Sequence, residues 1–226
     1  MGYTLIYFQP TQEAIVQEAL RGAGVERSTD EIRAAAEIVW GEAYRDAEKV
    51  TFPATQDYDR QVQDELERRL LVELGVQAGD EALQCCRNAM ERGYSQPGVI
   101  RPYPEVVEVL NALRELGYRL GIVSNWSWNL RERVAQAGLD GHFELVWASA
   151  YAGCNKPHPD IFHQALARMA VSRERALYVG DSYAHDVVGA RNAGVDVALL
   201  DRDGRAGDAD CTVIRDLWAV LELLGE

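Results

Sequence analysis

The chain has 226 residues, a formal net charge of -13 at pH 7 and a pI near 4.8. That length suits one sizeable α/β core with a smaller appended unit rather than two full domains. The acidic balance excludes sequence-independent nucleic-acid binding, which needs clustered Lys and Arg against phosphates, and no apolar run is long enough to suggest a membrane partner or a signal peptide.

The opening residues MGYTLIYF are apolar and begin abruptly. From Thr11 to about Gly24, Ala14, Ile15, Ala19 and Leu20 recur at helical spacing, and Gly22 and Gly24 close that helix. Ser28 and Glu31 have capping-box spacing, and Ile32, Ala36, Val39, Trp40, Ala43 and Ala47 then form one stripe of a long helix. Pro53 breaks the run. A third helix is expected from about Asp59 to Leu74, with Val62, Leu66, Leu70 and Leu74 on one face, and a fourth from about Asp80 to Arg92. Residues 11–93 thus read as an all-helical unit.

After the turn-rich YSQPG at 94–98, strands and helices alternate. Residues 1–10 and 94–226 are therefore assigned to an α/β core. A helix over Glu105 to Leu116 is stopped by Gly117, and the strand Tyr118 to Val123 leads to Ser124 and Asn125. A helix ending near Gly138 precedes the strand Phe143 to Ala148. The loop Cys154-Asn155-Lys156-Pro157 opens onto a helix from about Asp160 to Met169. Leu177 to Val179 make a strand, Gly180 turns the backbone, Asp181 follows, and Asp186 falls in the first turn of a helix running to about Ala193. Gly194 ends that helix, Val195 to Leu200 form the next strand, and a short strand at Cys211 to Ile214 and a helix ending at Leu224 complete the chain. Short apolar strands joined by helices of about ten residues imply right-handed parallel crossovers, a Rossmann-like sheet.

The cysteines Cys85, Cys86, Cys154 and Cys211 lack C-x-x-C spacing, so a reduced, cytoplasmic protein is expected, with the adjacent pair Cys85 and Cys86 acting as small apolar residues. The histidines lack the i, i+4 spacing of a helical zinc pair. Trp126 and Trp128, like Trp40, Tyr44, Phe52 and Tyr58 in the helical unit, are first read as packing residues, with lining of a substrate pocket as the alternative. Lys49 and Lys156 are the only lysines, which makes a lysine beside a carboxylate loop informative.

Three loops at strand carboxyl ends carry Ser124, Lys156, and Asp181 with Asp186. Taken alone, Ser124 is a helix cap, Lys156 a solvated loop charge, Asp181 a turn residue and Asp186 a charge favoured by a helix N-terminus. Together they are the parts of a phosphoryl-transfer site: a hydroxyl for phosphoryl oxygens, an ammonium to neutralise charge, and two close carboxylates that repel unless they share a cation, for which Mg²⁺ is the natural candidate.

The segments GIVSNW at 121–126, NKPHPDIF at 155–162 and YVGDSYAHDVVGARNAG at 178–194 resemble, in that order, the haloacid dehalogenase-like (HAD) hydrolases with a helical cap inserted after the first strand. The resemblance covers nearly the whole chain. It implies an α/β fold with a Rossmann-like parallel core, and a cap over residues 11–93 that closes on the site and selects substrate. By it, Ser124 and Asn125 bind the phosphoryl group and Lys156 stabilises its charge and that of the nucleophile. Asp181 and the backbone carbonyl of Gly2 would bind Mg²⁺, with Asp186 as supporting acid.

The family's first motif, D-x-D-G-T-L, survives only as its tail. Aligning Thr4-Leu5 with T-L puts Tyr3 at the Gly, Gly2 at the second Asp and Met1 at x, so the nucleophilic Asp is expected one residue before Met1, on a strand in the middle of the sheet. Gly2 also removes the acid that protonates the leaving group, so the enzyme is expected to be slow, to favour good leaving groups, or to recruit another acid from the cap. The resemblance implies a phosphatase of a small phosphorylated metabolite. A 2-haloacid dehalogenase typically carries Ser at the position of Asp181, and a phosphonate hydrolase needs a cap lysine, for which only Lys49 is available. A HAD-fold protein that binds without turnover is the alternative from another class, and oligomeric state is left open.

Overall fold

The computed structural model describes residues 1–76 and 79–225. The chain divides into two compact units, one of residues 1–6, 47–55 and 102–226 and one of residues 7–46 and 56–101. Each is described by itself. The segment 47–55, expected within the helical unit, groups instead with the α/β unit, because Thr51 pairs with Cys154 and the Phe52 N–H donates to Gly153 O at 2.8 Å.

In the helical unit, α1 (Gln12–Gly22), α2 (Thr29–Ala43), α3 (Gln56–Glu73) and α4 (Asp80–Tyr94) follow the expected order. The capping box forms: the Ser28 hydroxyl accepts from the Glu31 N–H at 3.2 Å and the Glu31 carboxylate accepts from the Ser28 N–H at 2.7 Å. Leu20, Ile32, Leu70, Leu71, Leu74 and Met90 come from all four helices and close one apolar core, the burial that a lone amphipathic helix lacks in water. The adjacent cysteines part company: Cys86 is in that core and Cys85 is exposed, as helical geometry dictates for neighbours about 100° apart. Residues of β1 (Ile6–Phe8) pair with β2 (Ile100–Pro102).

The α/β unit begins its ladder after α5 (Val106–Glu115). β3 (Gly121–Ser124) pairs in parallel with β4 (Leu145–Ala148), Ser124 opposite Ala148, and α6 (Leu130–Gln136) makes the crossover. The short α7 (Ser149–Ala152) and α8 (Asp160–Met169) lead to β5 (Leu177–Gly180), which pairs in parallel with β6 (Asp196–Leu200) through α9 (Val188–Asn192). β7 (Thr212–Ile214) adds in parallel to β6, and α10 (Ala219–Leu224) ends the fold. β3–β4 and β5–β6–β7 are separate sheets, and no backbone ladder joins β3 to β5 among the described residues. Trp147, Ile161, Phe162, Ala165, Ala190 and Val195 fill a core between strands and crossover helices.

Within each sheet the strands are parallel, and the loops bearing Ser124 and Asp181 follow the carboxyl ends of β3 and β5, where parallel sheets present ligand sites. No described helix is long and apolar enough to cross a membrane. In the helical unit the side chain of Leu71 is wholly enclosed, so Leu71→Ala is expected to cost about 2–5 kcal/mol, read as a lower urea midpoint without loss of the α/β unit's near-UV signal.

Candidate active site

Ser124 ends β3 with its side chain buried, and Asn125 starts the loop. The Asn125 amide closes a reciprocal clamp on the lysine loop. Its Oδ1 accepts from the Lys156 backbone N–H at 2.6 Å and its Nδ2 donates to the Lys156 carbonyl at 3.0 Å. Both functions of the Asn125 side chain are thus engaged in holding Lys156, so the residue expected to touch substrate stands first as the tie between two loops.

Lys156 is 5% exposed and Asp186 3%, and the ammonium and carboxylate are in direct contact. Burial disfavours both charges, but here each supplies the other's counter-ion. Burial alone would lower the Lys156 pKa; the phenol of Tyr178 and the carboxylate of Asp186 outweigh it and hold the ammonium above the ordinary lysine range. Burial likewise pushes Asp186 up, and the Lys156 charge with the Ser182 N–H, donated to Asp186 Oδ2 at 2.9 Å, outweighs it and holds the carboxyl below the ordinary value. The helix after β5 begins as a widened turn in which the Val187 N–H reaches Ser182 O five residues back. Space for Asp186 depends on Gly180: a Cβ there would lie 2.3 Å from Asp186 Cγ.

Asp181 is exposed as a residue, but loss of water around its carboxylate, with the nearby charge of Asp186, raises its pKa, opposed by a hydrogen bond donated from the Thr4 hydroxyl. Thr4 sits in a tight N-terminal turn. Its N–H donates to Gly2 O at 2.7 Å, and Tyr3 adopts φ +57°, the left-handed region that favours glycine. Tyr3 is the residue aligned with the glycine of the family's first motif, and glycine adopts this conformation without steric cost. Arg202 secures the turn from the loop after β6: it donates to Thr4 O at 2.9 Å, pairs with Glu105 at 2.6 Å and stacks 3.8 Å over the Tyr103 ring.

Met1 completes the cluster. Its amino nitrogen donates to Ser124 Oγ at 3.2 Å, and burial followed by the Lys156 charge pushes its pKa down to about 6, against the pull of Asp181 and Asp186. Ser124 thus touches the Met1 nitrogen, and Lys156, Asp181 and Asp186 lie near enough for their charges to act on it. Beside it, Trp126 Cζ3 lies 3.5 Å from where a Cβ on Gly2 would stand, and the ring is held by its Nε1–H donating to Asn129 Oδ1 at 3.1 Å. Trp128 packs edge-on to Tyr151 instead. Lys49 is exposed beside Glu48.

Parallel strands that deliver a hydroxyl, a buried ammonium and two acids to one place mark an α/β hydrolase site. A sequence profile of the haloacid dehalogenase-like hydrolases matches residues 42–200. The chain belongs to that family. It is 32% identical over 227 residues to a phosphoserine phosphatase from Thermus thermophilus, covering 92% of this chain and 89% of that one. A glyceraldehyde 3-phosphate phosphatase from Methanothermobacter thermautotrophicus is 33% identical over 138 residues, covering 56% of this chain and 60% of that one. Among solved structures, a putative HAD hydrolase from Bacillus subtilis, described as bound to magnesium, superposes with a TM-score of 0.76 at 22% identity, over 99% of this chain and 95% of that one.

Tyr178 is a residue that sequence reading did not single out. Its hydroxyl contacts both Lys156 and Asp186, and the only signal was a hydroxyl-bearing aromatic in an otherwise aliphatic strand.

The buried pair generates a prediction. Lys156→Met or Asp186→Leu alone strands a charge and is expected to cost about 3–5 kcal/mol, while the double variant recovers most of it, giving strong non-additivity in urea unfolding. Asp186 is held low and Lys156 high, so the pair's contribution is fully present between about pH 4 and pH 10. It is lost as pH falls through the folded value of Asp186 or rises through that of Lys156.

Proposed function

We propose that the protein is a cytoplasmic, Mg²⁺-dependent phosphatase of a small phosphorylated metabolite. Turnover would use a carboxylate joined directly before Met1. The observation that carries the reading is the contact of the Met1 nitrogen with Ser124 Oγ at 3.2 Å, within reach of the charges of Lys156 and Asp181. A backbone amide in place of that buried amine would remove an ionisable group from a site that disfavours its charge. It would also attach the preceding residue at this centre. The four free cysteines suit a reducing compartment.

The donor set fits the metal. Asp181 and the Gly2 carbonyl are hard oxygen donors. That suits a cation that binds through one or two carboxylates and keeps its waters, as Mg²⁺ does, rather than zinc. When bound, Mg²⁺ supplies charge neutralisation at a phosphoryl oxygen. The chain's own residues do the rest. The Ser124 hydroxyl binds a non-bridging oxygen, the Lys156 ammonium neutralises the transferring group, and Asp186 holds Lys156 in place. The carboxylate attacks phosphorus as the ester P–O bond breaks, and the electron pair departs on the alcohol oxygen. Water then attacks the acyl phosphate and releases inorganic phosphate.

Gly2 provides no proton for the departing oxygen, so substrates with acidic leaving groups are favoured. Phosphoserine and glyceraldehyde 3-phosphate, named for the relatives, are the first metabolites to assay beside p-nitrophenyl phosphate. Retention of an acid at Asp181 supports phosphate over halide chemistry, and 2-chloropropionate serves as the control.

The second reading, binding without turnover, is favoured by one observation. Asp181 and Asp186, the carboxylates at the centre, are already engaged by Thr4 and Lys156. The test compares the chain as numbered with one extended by the residues encoded directly upstream. Hydrolysis with Mg²⁺ is expected only in the extended form; a non-acidic residue or a stop codon before Met1, or silence in both, sinks the phosphatase and leaves binding. In an active extended form, Gly2→Asp is expected to raise kcat on an alkyl phosphate by about 10²-fold or more, and much less on p-nitrophenyl phosphate. A Cβ at position 2 would stand at ordinary contact distance, 3.5 Å, from Trp126 Cζ3.

A further inference from the structure

Tyr178 lies in the middle of β5, and its ring meets Phe162 edge-on at 4.9 Å between centroids. Its hydroxyl oxygen has three neighbours: Lys156 Nζ at 2.9 Å, Asp186 Oδ1 at 3.1 Å and the Val123 carbonyl at 2.9 Å. A phenol has one proton to donate, and an ammonium has only donors. The oxygen therefore accepts from Lys156 and donates to one of the other two, so a single atom connects β5, the lysine loop and the end of β3.

The Val123 contact matters because of where it falls. β3 and β5 belong to different sheets, and Val123 immediately precedes Ser124. The Tyr178 hydroxyl links the two strands directly, through the carbonyl of the residue that precedes Ser124. The ammonium is constrained in the same way. Two of its N–H donors go to Tyr178 and Asp186, which leaves one for an incoming oxyanion.

We propose that Tyr178 is a positioning residue, whose hydroxyl fixes the Lys156 ammonium relative to Ser124 and so sets the spacing of the two groups that grip an oxyanion. Without it Lys156 keeps Asp186 but swings about that contact. The inference rests on the proposed use of Lys156 and Ser124 in phosphoryl binding. It adds a residue the family motifs quoted above do not assign.

The composition makes the test direct. Lys49 and Lys156 are the only lysines, and Lys49 is exposed, so ¹⁵N-lysine labelling gives two ammonium groups of which the buried one exchanges slowly with water. In Tyr178→Phe, which keeps the ring and removes only the hydroxyl, the Lys156 ammonium signal is expected to shift and its protons to exchange at least tenfold faster. Orthophosphate or tungstate affinity, measured by calorimetry on the same protein, is expected to fall about tenfold. Should Tyr178→Phe fail to fold, incorporation of 3-fluorotyrosine into the wild-type chain, which alters phenol acidity without altering shape, is expected to move the same signal. A folded Tyr178→Phe whose Lys156 signal and exchange match the wild type overturns the proposal, as does an unmoved signal in the fluorotyrosine protein. Failure of the phosphatase reading has a different signature: no oxyanion binding by the wild type, whatever the ammonium signal does.

Discussion

One buried contact, the Lys156 ammonium against the Asp186 carboxylate, sets the terms for everything around it. Taking either ion out of water alone costs several kcal/mol, so each exists inside the fold only because the other does. Pairing does not satisfy the remaining lone pairs and protons, and the surroundings supply those. The Ser182 N–H takes the second oxygen of Asp186, Tyr178 takes a second proton of Lys156, and the Asn125 amide pins the lysine's main chain. Gly180 contributes by having no side chain, since any Cβ would occupy the place of Asp186. Residues from three separate loops are thus bound to one electrostatic requirement.

The opposite side of the site is built more loosely. Thr4 and the Gly2 carbonyl are held in a turn that Arg202 fastens from the far end of the sequence, and Tyr3 accepts a left-handed conformation costing roughly 1–2 kcal/mol for a residue with a Cβ. Such strain persists where surrounding contacts over-determine it, commonly at functional centres. What this side lacks is acid. Gly2 carries none, and a side chain at position 2 would project beside the indole edge of Trp126.

Family membership and site chemistry are separate conclusions. A HAD-type fold supports more than one chemistry, so the assignment as a hydrolase comes from sequence relatives, while the phosphatase reading for this chain draws on which atoms meet. A carboxylate with a raised pKa, a fully paired acid behind it and a captive ammonium form a graded set.

Much of this was legible along the chain. Apolar periodicity and the stops at Gly117 and Gly194 placed helices and strands to within a few residues, and the expected helix from Asp160 to Met169 coincides with α8, because such signals are local. Chain order and spacing likewise brought Ser124, Lys156, Asp181 and Asp186 to one edge, since parallel crossovers leave successive loops little choice. What spacing could not tell is how side chains are used once they arrive. The clamp between Asn125 and Lys156, the grip of Arg202 on Thr4, the grouping of residues 47–55 with the α/β unit and the three-way junction at Tyr178 all join residues far apart in sequence. Such contacts depend on the exact separation of elements that local patterns only orient. Sequence by itself determined the elements, their order and the chemical groups available; only the tertiary structure decided which group neutralises, clamps or spaces which, because desolvation and hydrogen bonding act across distances that the order of residues does not record.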